Sequence, residues 1–72
     1  MNPVNPKKLL LSKWTATKPT KKEKHFLVIK LIEPEDGSPI EFIELQAVYS
    51  DNIYQIAWRE LANLEKWKIG WV

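Results

Sequence analysis

Apolar and polar side chains alternate through the middle of the chain, and this alternation predicts an antiparallel β-hairpin over residues 40–59. Its two strands are expected at Ile40–Ser50 and Ile53–Arg59. Asp51-Asn52 between them suits a two-residue turn, because Asp and Asn tolerate the positive φ that such a turn requires.

This turn predicts which residues of the two strands face each other. Leu45 is expected opposite Trp58 on an apolar face, and Glu44 opposite Arg59 on a mixed face. A slip of one residue would move every side chain to the other face, so the pattern of apolar positions favours this register.

A third strand is predicted over His25–Glu33, which is rich in strand-forming residues, and Asp36–Ser38 supplies the turn that follows it. Pairing this strand with the hairpin brings Lys30 beside Glu44. The pair contributes only about 0.2–1 kcal/mol, so it indicates the register more than it stabilises the sheet.

Alternation along the third strand places Leu27 and Ile29 on the core face and leaves Phe26 and Val28 pointing outward. The sheet is then apolar on both faces, and such a sheet must be curled or covered. We expect the N-terminal segment and residues 67–72 to cover it.

The N-terminal part of the chain supplies the remaining early elements. Residues 1–12 are expected to form an arm or a short helix, with Asn5 as its N-cap and a proline at its first position. Residues 13–72 are expected to form a single small β domain. Within it, Lys13–Thr17 has the composition of a short strand, and Lys18–Lys24 that of a polar loop.

Near the C-terminus, Leu61, Leu64 and Trp67 recur at a spacing of three, which is typical of one helical turn laid on the core. Residues 68–72 form the last predicted strand, and Gly70 permits a bend there. The order predicts a mainly β fold: a small antiparallel SH3-like barrel or a strongly curled sheet of about five strands, with a short helical turn before the last strand. An open antiparallel sheet with a helix on one face is the alternative.

Composition narrows the functional classes. A chain of 72 residues forms one domain with a marginal core, and four Trp, two Tyr and two Phe supply much of the apolar mass. The absence of cysteine excludes a disulfide or a thiolate metal site, and a single histidine excludes a histidine-only metal cluster. We expect no cofactor, no metal, no membrane span and no enzymatic activity, and we expect a cytoplasmic protein.

Charge is distributed unevenly along the chain. Residues 1–24 hold seven lysines and one glutamate, a balance of +6, whereas residues 25–72 hold four cations and eight acids, a balance of −4. A basic N-terminal third followed by an acidic remainder indicates an anionic partner or self-association.

Several short motifs are distributed along the chain. They are Asn5-Pro6 with Leu9, Ser12-Lys13-Trp14-Thr15-Ala16, Glu23-Lys24-His25-Phe26, Ala47-Val48, Trp58-Arg59-Glu60-Leu61 and Trp67-Lys68-Ile69-Gly70-Trp71. Together they resemble a small bacterial family that is named for its tryptophans and has no assigned function. The resemblance spans nearly the whole chain except the loop Glu33–Pro39. It implies a self-contained bacterial domain and supplies no catalytic residue.

The leading functional hypothesis is a non-enzymatic binding module that contacts RNA or single-stranded nucleic acid through lysines and tryptophans. The candidate residues are Lys13, Trp14, Lys18, Lys21, Lys22, Lys24, Arg59, Trp67 and Trp71. For the tryptophans in this set, a place in the core is the competing interpretation, and Trp58 is expected inside. The alternatives are an SH3-like protein-interaction adaptor, a small subunit of a larger complex, and a self-associating structural subunit.

Overall fold

The computed structural model describes residues 2–72 and contains five antiparallel strands in one sheet, in the order β4-β3-β2-β1-β5. The strands are β1 (Lys13–Thr20), β2 (Glu23–Ile32), β3 (Phe42–Ala47), β4 (Ile53–Ala57) and β5 (Trp67–Ile69). Two 3₁₀ turns, η1 (Pro6–Lys8) and η2 (Trp58–Ala62), complete the described elements. The predicted mainly β fold, with about five strands and a helical turn before the last, is confirmed. Over these described residues the sheet does not close into a barrel, so β4 and β5 are its edges.

One face of the sheet carries the core. The buried apolar residues are Leu9, Trp14, Phe26, Val28, Ile43, Leu45, Ala47 and Leu61. Around them pack half-buried side chains that include Tyr54, Trp58 and Trp67. Trp58 therefore contacts the core, as expected, although it does so from η2 and not from a strand. Its indole N–H donates to the carbonyl oxygen of Ile40 at 2.7 Å.

The pairing of β2 with β3 follows the prediction at one end only. Lys30 lies opposite Glu44, as predicted, but the register shifts between Val28 and Lys30. Ile29 is the extra residue of this β-bulge, and Val28 rather than Ile29 lies opposite Leu45.

The bulge reverses the faces of the first half of β2. Phe26 and Val28 are buried, whereas Leu27 and Ile29 are only half-buried, so the predicted assignment of these four residues is wrong. All four are apolar, and a period-two pattern therefore fits either assignment equally well.

The predicted two-residue turn between β3 and β4 is also wrong, because a five-residue loop, Val48–Asn52, joins them. Leu45 lies opposite Tyr54 instead of Trp58, and Glu44 lies opposite Gln55. The register differs from the predicted one by four residues. Because four is an even number, the inward and outward faces of both strands are unchanged.

The predicted polar loop Lys18–Lys24 is a tight hairpin in the structure. Thr20 pairs with Glu23, and Lys21 and Lys22 form the turn with φ angles of 53° and 63°. Two-residue turns with positive φ at both central positions match the twist of the flanking strands, so the turn suits the hairpin although lysine rarely adopts these angles.

Both ends of the described chain are held against the sheet. Asn5 caps η1 by accepting from the Lys7 backbone N–H at 3.0 Å, and Asn2 is buried. The Asn2 side-chain amide donates to the carbonyl oxygens of Leu61 and Trp67 at 2.8 and 2.9 Å. The first residues are therefore attached to η2 and β5.

Candidate functional site

The nine candidate binding residues do not form one surface. Trp14 is only 3% exposed, and its indole N–H donates to the Ser12 hydroxyl oxygen at 2.8 Å, so it is a core residue. Arg59 lies over the Trp58 ring at 5.2 Å from its centroid, beside a hollow bordered by the loop 33–40. The other candidates lie on the two opposite faces of the sheet or at the hairpin tip.

Face assignment follows from the pairing of β1 with its neighbours. Thr15 lies opposite His25 in β2 and Lys68 in β5, so these three side chains share the face that points away from the core. The next residue, Ala16, points to the core face together with its partner Trp67.

Trp71 covers part of the outer face and is 41% exposed. Its ring stacks on His25 with centroids 5.9 Å apart, and the Lys13 ammonium lies 4.8 Å from its centroid. Its indole N–H donates to the carbonyl oxygen of Phe26 at 3.0 Å. The ring is thus fixed in orientation while a large part of it contacts solvent.

The local sequence explains why Trp71 lies there. Gly70 adopts a φ of +81°, which turns the chain back across the sheet after β5. The Thr15 hydroxyl donates to the Gly70 carbonyl oxygen at 2.7 Å and accepts from the Val72 backbone N–H at 3.1 Å. Only residues 67–69 form a strand, and the rest of the predicted last strand is this returning tail.

Lys24 and Lys68 lie next to the tail, on the border of a hollow of about 500 Å³ that Val72 also lines. We call the surface formed by Lys13, Lys24, His25, Lys68 and Trp71 the outer patch. It combines one exposed indole with three lysines.

The core face contains a second concave surface, which we call the groove. It has a volume of about 320 Å³, and the residues that define it here are Lys18, Lys21, Phe26, Tyr54, Ile56 and Trp67. Trp67 packs edge-on against Phe26, with ring centroids 5.2 Å apart and planes at 83°. Aromatic and aliphatic side chains form the floor, and the two lysines belong to the rim.

A buried carboxylate, that of Glu23, borders the groove. The only feature that distinguishes Glu23 in the sequence is that it is the single acid among residues 1–24. Glu23 is 4% exposed and accepts from the hydroxyl of Ser50, from the Asn52 amide at 3.0 Å and from the Tyr54 hydroxyl at 2.5 Å. These hydrogen bonds, led by those of Ser50 and Tyr54, hold the pKa of Glu23 below its ordinary value, against the opposing effect of burial.

The hydrogen bond between Tyr54 and Glu23 also changes the pKa of Tyr54. The hydrogen bond to the Glu23 carboxylate raises the pKa of Tyr54 above its ordinary value, and partial burial and the negative charge add to the effect. Glu23 thereby connects the β1–β2 hairpin to the loop between β3 and β4. It is not placed as an acid or base, since all its contacts are donors that stabilise its charged form.

Metal sites and membrane-spanning helices are two further features to consider over residues 2–72. That range holds no group of three or more side chains suited to a metal ion. Nor does any of its helical segments have the length and apolarity needed to traverse a bilayer.

Comparison with known proteins gives a family. No curated protein and no solved structure matches the chain significantly. The family model described as "Tryptophan-rich protein (DUF2389)" matches residues 12–72, a range that contains all four tryptophans. The resemblance inferred from the motifs is therefore confirmed, and the chain belongs to this family of tryptophan-rich proteins.

Proposed function

We propose that the protein binds single-stranded nucleic acid through the outer patch. The observation that carries the proposal is the position of Trp71, an oriented and partly exposed indole with Lys13 over its ring. Proteins that bind single strands combine aromatic platforms for bases with cations for phosphates, and each stacked base contributes about 1–3 kcal/mol.

The contacts suggest how the patch works. A base stacking on Trp71 takes the place of the Lys13 ammonium, which then reaches a phosphate of the same strand. Lys24 and Lys68, beside the hollow at the tail, are placed to contact neighbouring phosphates. No hydrogen-bond reading of base edges is required, so we expect little sequence preference.

The similarity of the fold to SH3-like barrels is part of the same proposal. A meander of β2, β3 and β4, with β1 between β2 and β5 and a 3₁₀ turn before β5, is the strand order of SH3-like barrels. This analogy concerns architecture only, because such folds carry many functions. A bacterial cytoplasm, where RNA is abundant, is the setting that the proposal assumes.

The test is a titration of a short, fluorescently labelled oligouridylate, followed by anisotropy over a series of salt concentrations. We expect affinity to fall as salt rises, because each phosphate contact contributes about 0.7 to the logarithmic slope for a single strand. K13Q/K68Q should lower that slope by about 1.4, since two contacts are removed.

The matched control is K7Q/K8Q, which removes the same charge from two exposed lysines of η1. It should affect the slope less than K13Q/K68Q does. Absence of binding at about 100 µM protein, the weak end of non-specific affinities, would overturn the proposal. An equal loss in both double variants would overturn the assignment to the outer patch.

A further inference from the structure

We infer that the groove is a docking site for an extended protein segment in which apolar residues are followed or preceded by acidic ones. The groove lies on the opposite face of the sheet from Trp71. The inference therefore stands whether or not the protein binds nucleic acid.

Apolar side chains that the protein covers only in part indicate that the partner contributes apolar residues. Tyr54, Ile56 and Trp67 are only half-buried, and they line the groove together with buried Phe26. An open sheet leaves this part of the core face without a covering layer. A volume of about 320 Å³ has room for one or two side chains of a partner, which would remove these rings from water.

An unpaired strand edge borders the same space. The Ala47 backbone N–H donates to Asn52 at 2.8 Å and the Trp58 N–H donates to Glu41 at 3.1 Å, which fixes the phase of the ladder between β3 and β4. Hydrogen-bonded pairs alternate in an antiparallel ladder, so Ile53, Gln55 and Ala57 direct their backbone groups away from β3. An extended segment can pair with such an edge and place alternate side chains in the groove.

Charge complementarity selects the partner. Lys18 and Lys21 lie at the rim, and Lys22 follows Lys21 at the hairpin tip. The charge of Glu23 interacts with Lys21 and offsets one of these three positive charges, so the hairpin end of the groove keeps a net positive charge. A segment with acidic residues near the hairpin tip matches this arrangement, and a basic segment does not.

The end of the groove opposite the hairpin carries charges of both signs. It continues past Trp67 towards Glu60, Glu65 and Lys66, where acids and a cation occur together. The excess of positive charge is therefore at the hairpin end, where three lysines lie near the single acid Glu23. This difference in charge orients the docked segment along the groove, with its acidic part towards Lys21 and its apolar part over Trp67.

The test begins with selection from a display library of random peptides against the full chain. We expect enriched sequences to combine apolar residues with acids. A selected peptide, synthesised and titrated into ¹⁵N-labelled protein, should shift the indole N–H resonance of Trp67 and the backbone resonances of β4. K18Q/K21Q should weaken its binding about tenfold, while K7Q/K8Q should leave it nearly unchanged.

Three outcomes would overturn the inference. The first is enrichment of basic peptides or of no peptides. The second is a shift map centred on Trp71 instead of Trp67. The third is displacement of the peptide by oligouridylate at physiological salt, which would make the groove a nucleic-acid site. Because Lys18 and Lys21 are exposed, we expect K18Q/K21Q to fold normally. A well-dispersed spectrum of this variant would show that weakened binding does not come from unfolding.

Discussion

At the scale of single residues, Glu23 connects two parts of the sheet that are distant in sequence. It is buried in β2 next to the lysine turn, and its three donors come from the loop after β3 and from the start of β4. This contact holds Ser50, Asn52 and Tyr54 near one carboxylate, which favours a five-residue loop over a two-residue turn. The longer loop accompanies the four-residue difference between the predicted and the observed register.

The depressed pKa of Glu23 gives a prediction about stability and pH. A carboxyl whose folded-state pKa is lowered adds stability above its ordinary value of 4.5, and this contribution is lost as pH falls through the lower folded-state pKa. Glu23→Gln should therefore unfold at a lower temperature than the wild type at pH 7, and the difference should shrink below pH 4.5. Thermal unfolding measured by circular dichroism across this range is the check, and a difference that does not vary with pH would contradict it.

The lysine turn provides a second prediction at this scale. Lys21 and Lys22 both have positive φ, which costs an ordinary residue about 1–2 kcal/mol relative to a right-handed conformation. Lys22→Gly should raise the free energy of unfolding by about 1 kcal/mol, because glycine adopts this region freely. Lys24→Gly, the control, removes the same charge from within β2 and should instead destabilise the protein. Urea unfolding of both variants distinguishes a backbone effect from a charge effect.

At the scale of elements, the bulge in β2 decides which side chains reach the core. It makes Val28 fully buried and leaves Ile29 half-buried, the reverse of what simple alternation predicts. Val28→Ala should cost about 2 kcal/mol, from two lost methyl groups and a residual cavity. Ile29→Ala removes more atoms yet should cost less. Denaturant midpoints that rank the two variants the other way would show that the bulge does not form.

Local chemistry made several elements predictable. Strand-forming composition located all five strands to within a few residues, and an asparagine before a proline marked the start of η1. Alternation predicted the correct faces of β3 and β4 even though the register differed, because an error of four residues preserves the faces. These features depend on neighbours in sequence, which the sequence shows directly.

Features set by distant contacts were not predictable in the same way. An all-apolar run such as Phe26–Ile29 carries no sign of a bulge, and the donors to Glu23 come from residues 50–54. The tryptophans proposed for the candidate site differ in burial, although residue type alone makes them equivalent candidates. Trp14 is in the core and Trp71 is on the surface, because the Gly70 bend returns the chain over the outer face. The neighbouring glycine indicates a bend before Trp71, but the face to which the chain returns depends on Thr15 and His25, which are distant in sequence.

At the scale of the whole molecule, the two ends of the described chain meet near β5. Asn2 donates to Leu61 and Trp67 and is buried, so Asn2→Ala should leave both carbonyl oxygens short of a donor and cost about 1–3 kcal/mol. Asn5→Ala, which removes an exposed cap of η1, should cost only about 0.5 kcal/mol. Equal losses in chemical unfolding would indicate that residues 2–4 do not pack as described.

The thinness of the molecule sets how the two proposed surfaces influence each other. The outer patch and the groove lie on opposite faces of one sheet, and the smallest dimension of the Cα trace is 16 Å. The Debye length is about 8 Å at physiological ionic strength, so lysines on one face are largely screened from a ligand on the other. We therefore expect oligouridylate and a groove-binding peptide to bind together, each changing the affinity of the other less than about twofold.

At lower salt we expect the bound peptide to weaken oligonucleotide binding. At about 0.01 M salt the Debye length is about 30 Å, which exceeds the thickness of the sheet. An acidic peptide in the groove would then reduce the positive potential at the outer patch and weaken oligonucleotide binding. Anisotropy of labelled oligouridylate, with and without saturating peptide at both salt concentrations, measures the coupling. Coupling of equal strength at both concentrations would mean that the ligands compete for one surface, because competition for a shared site is not removed by screening.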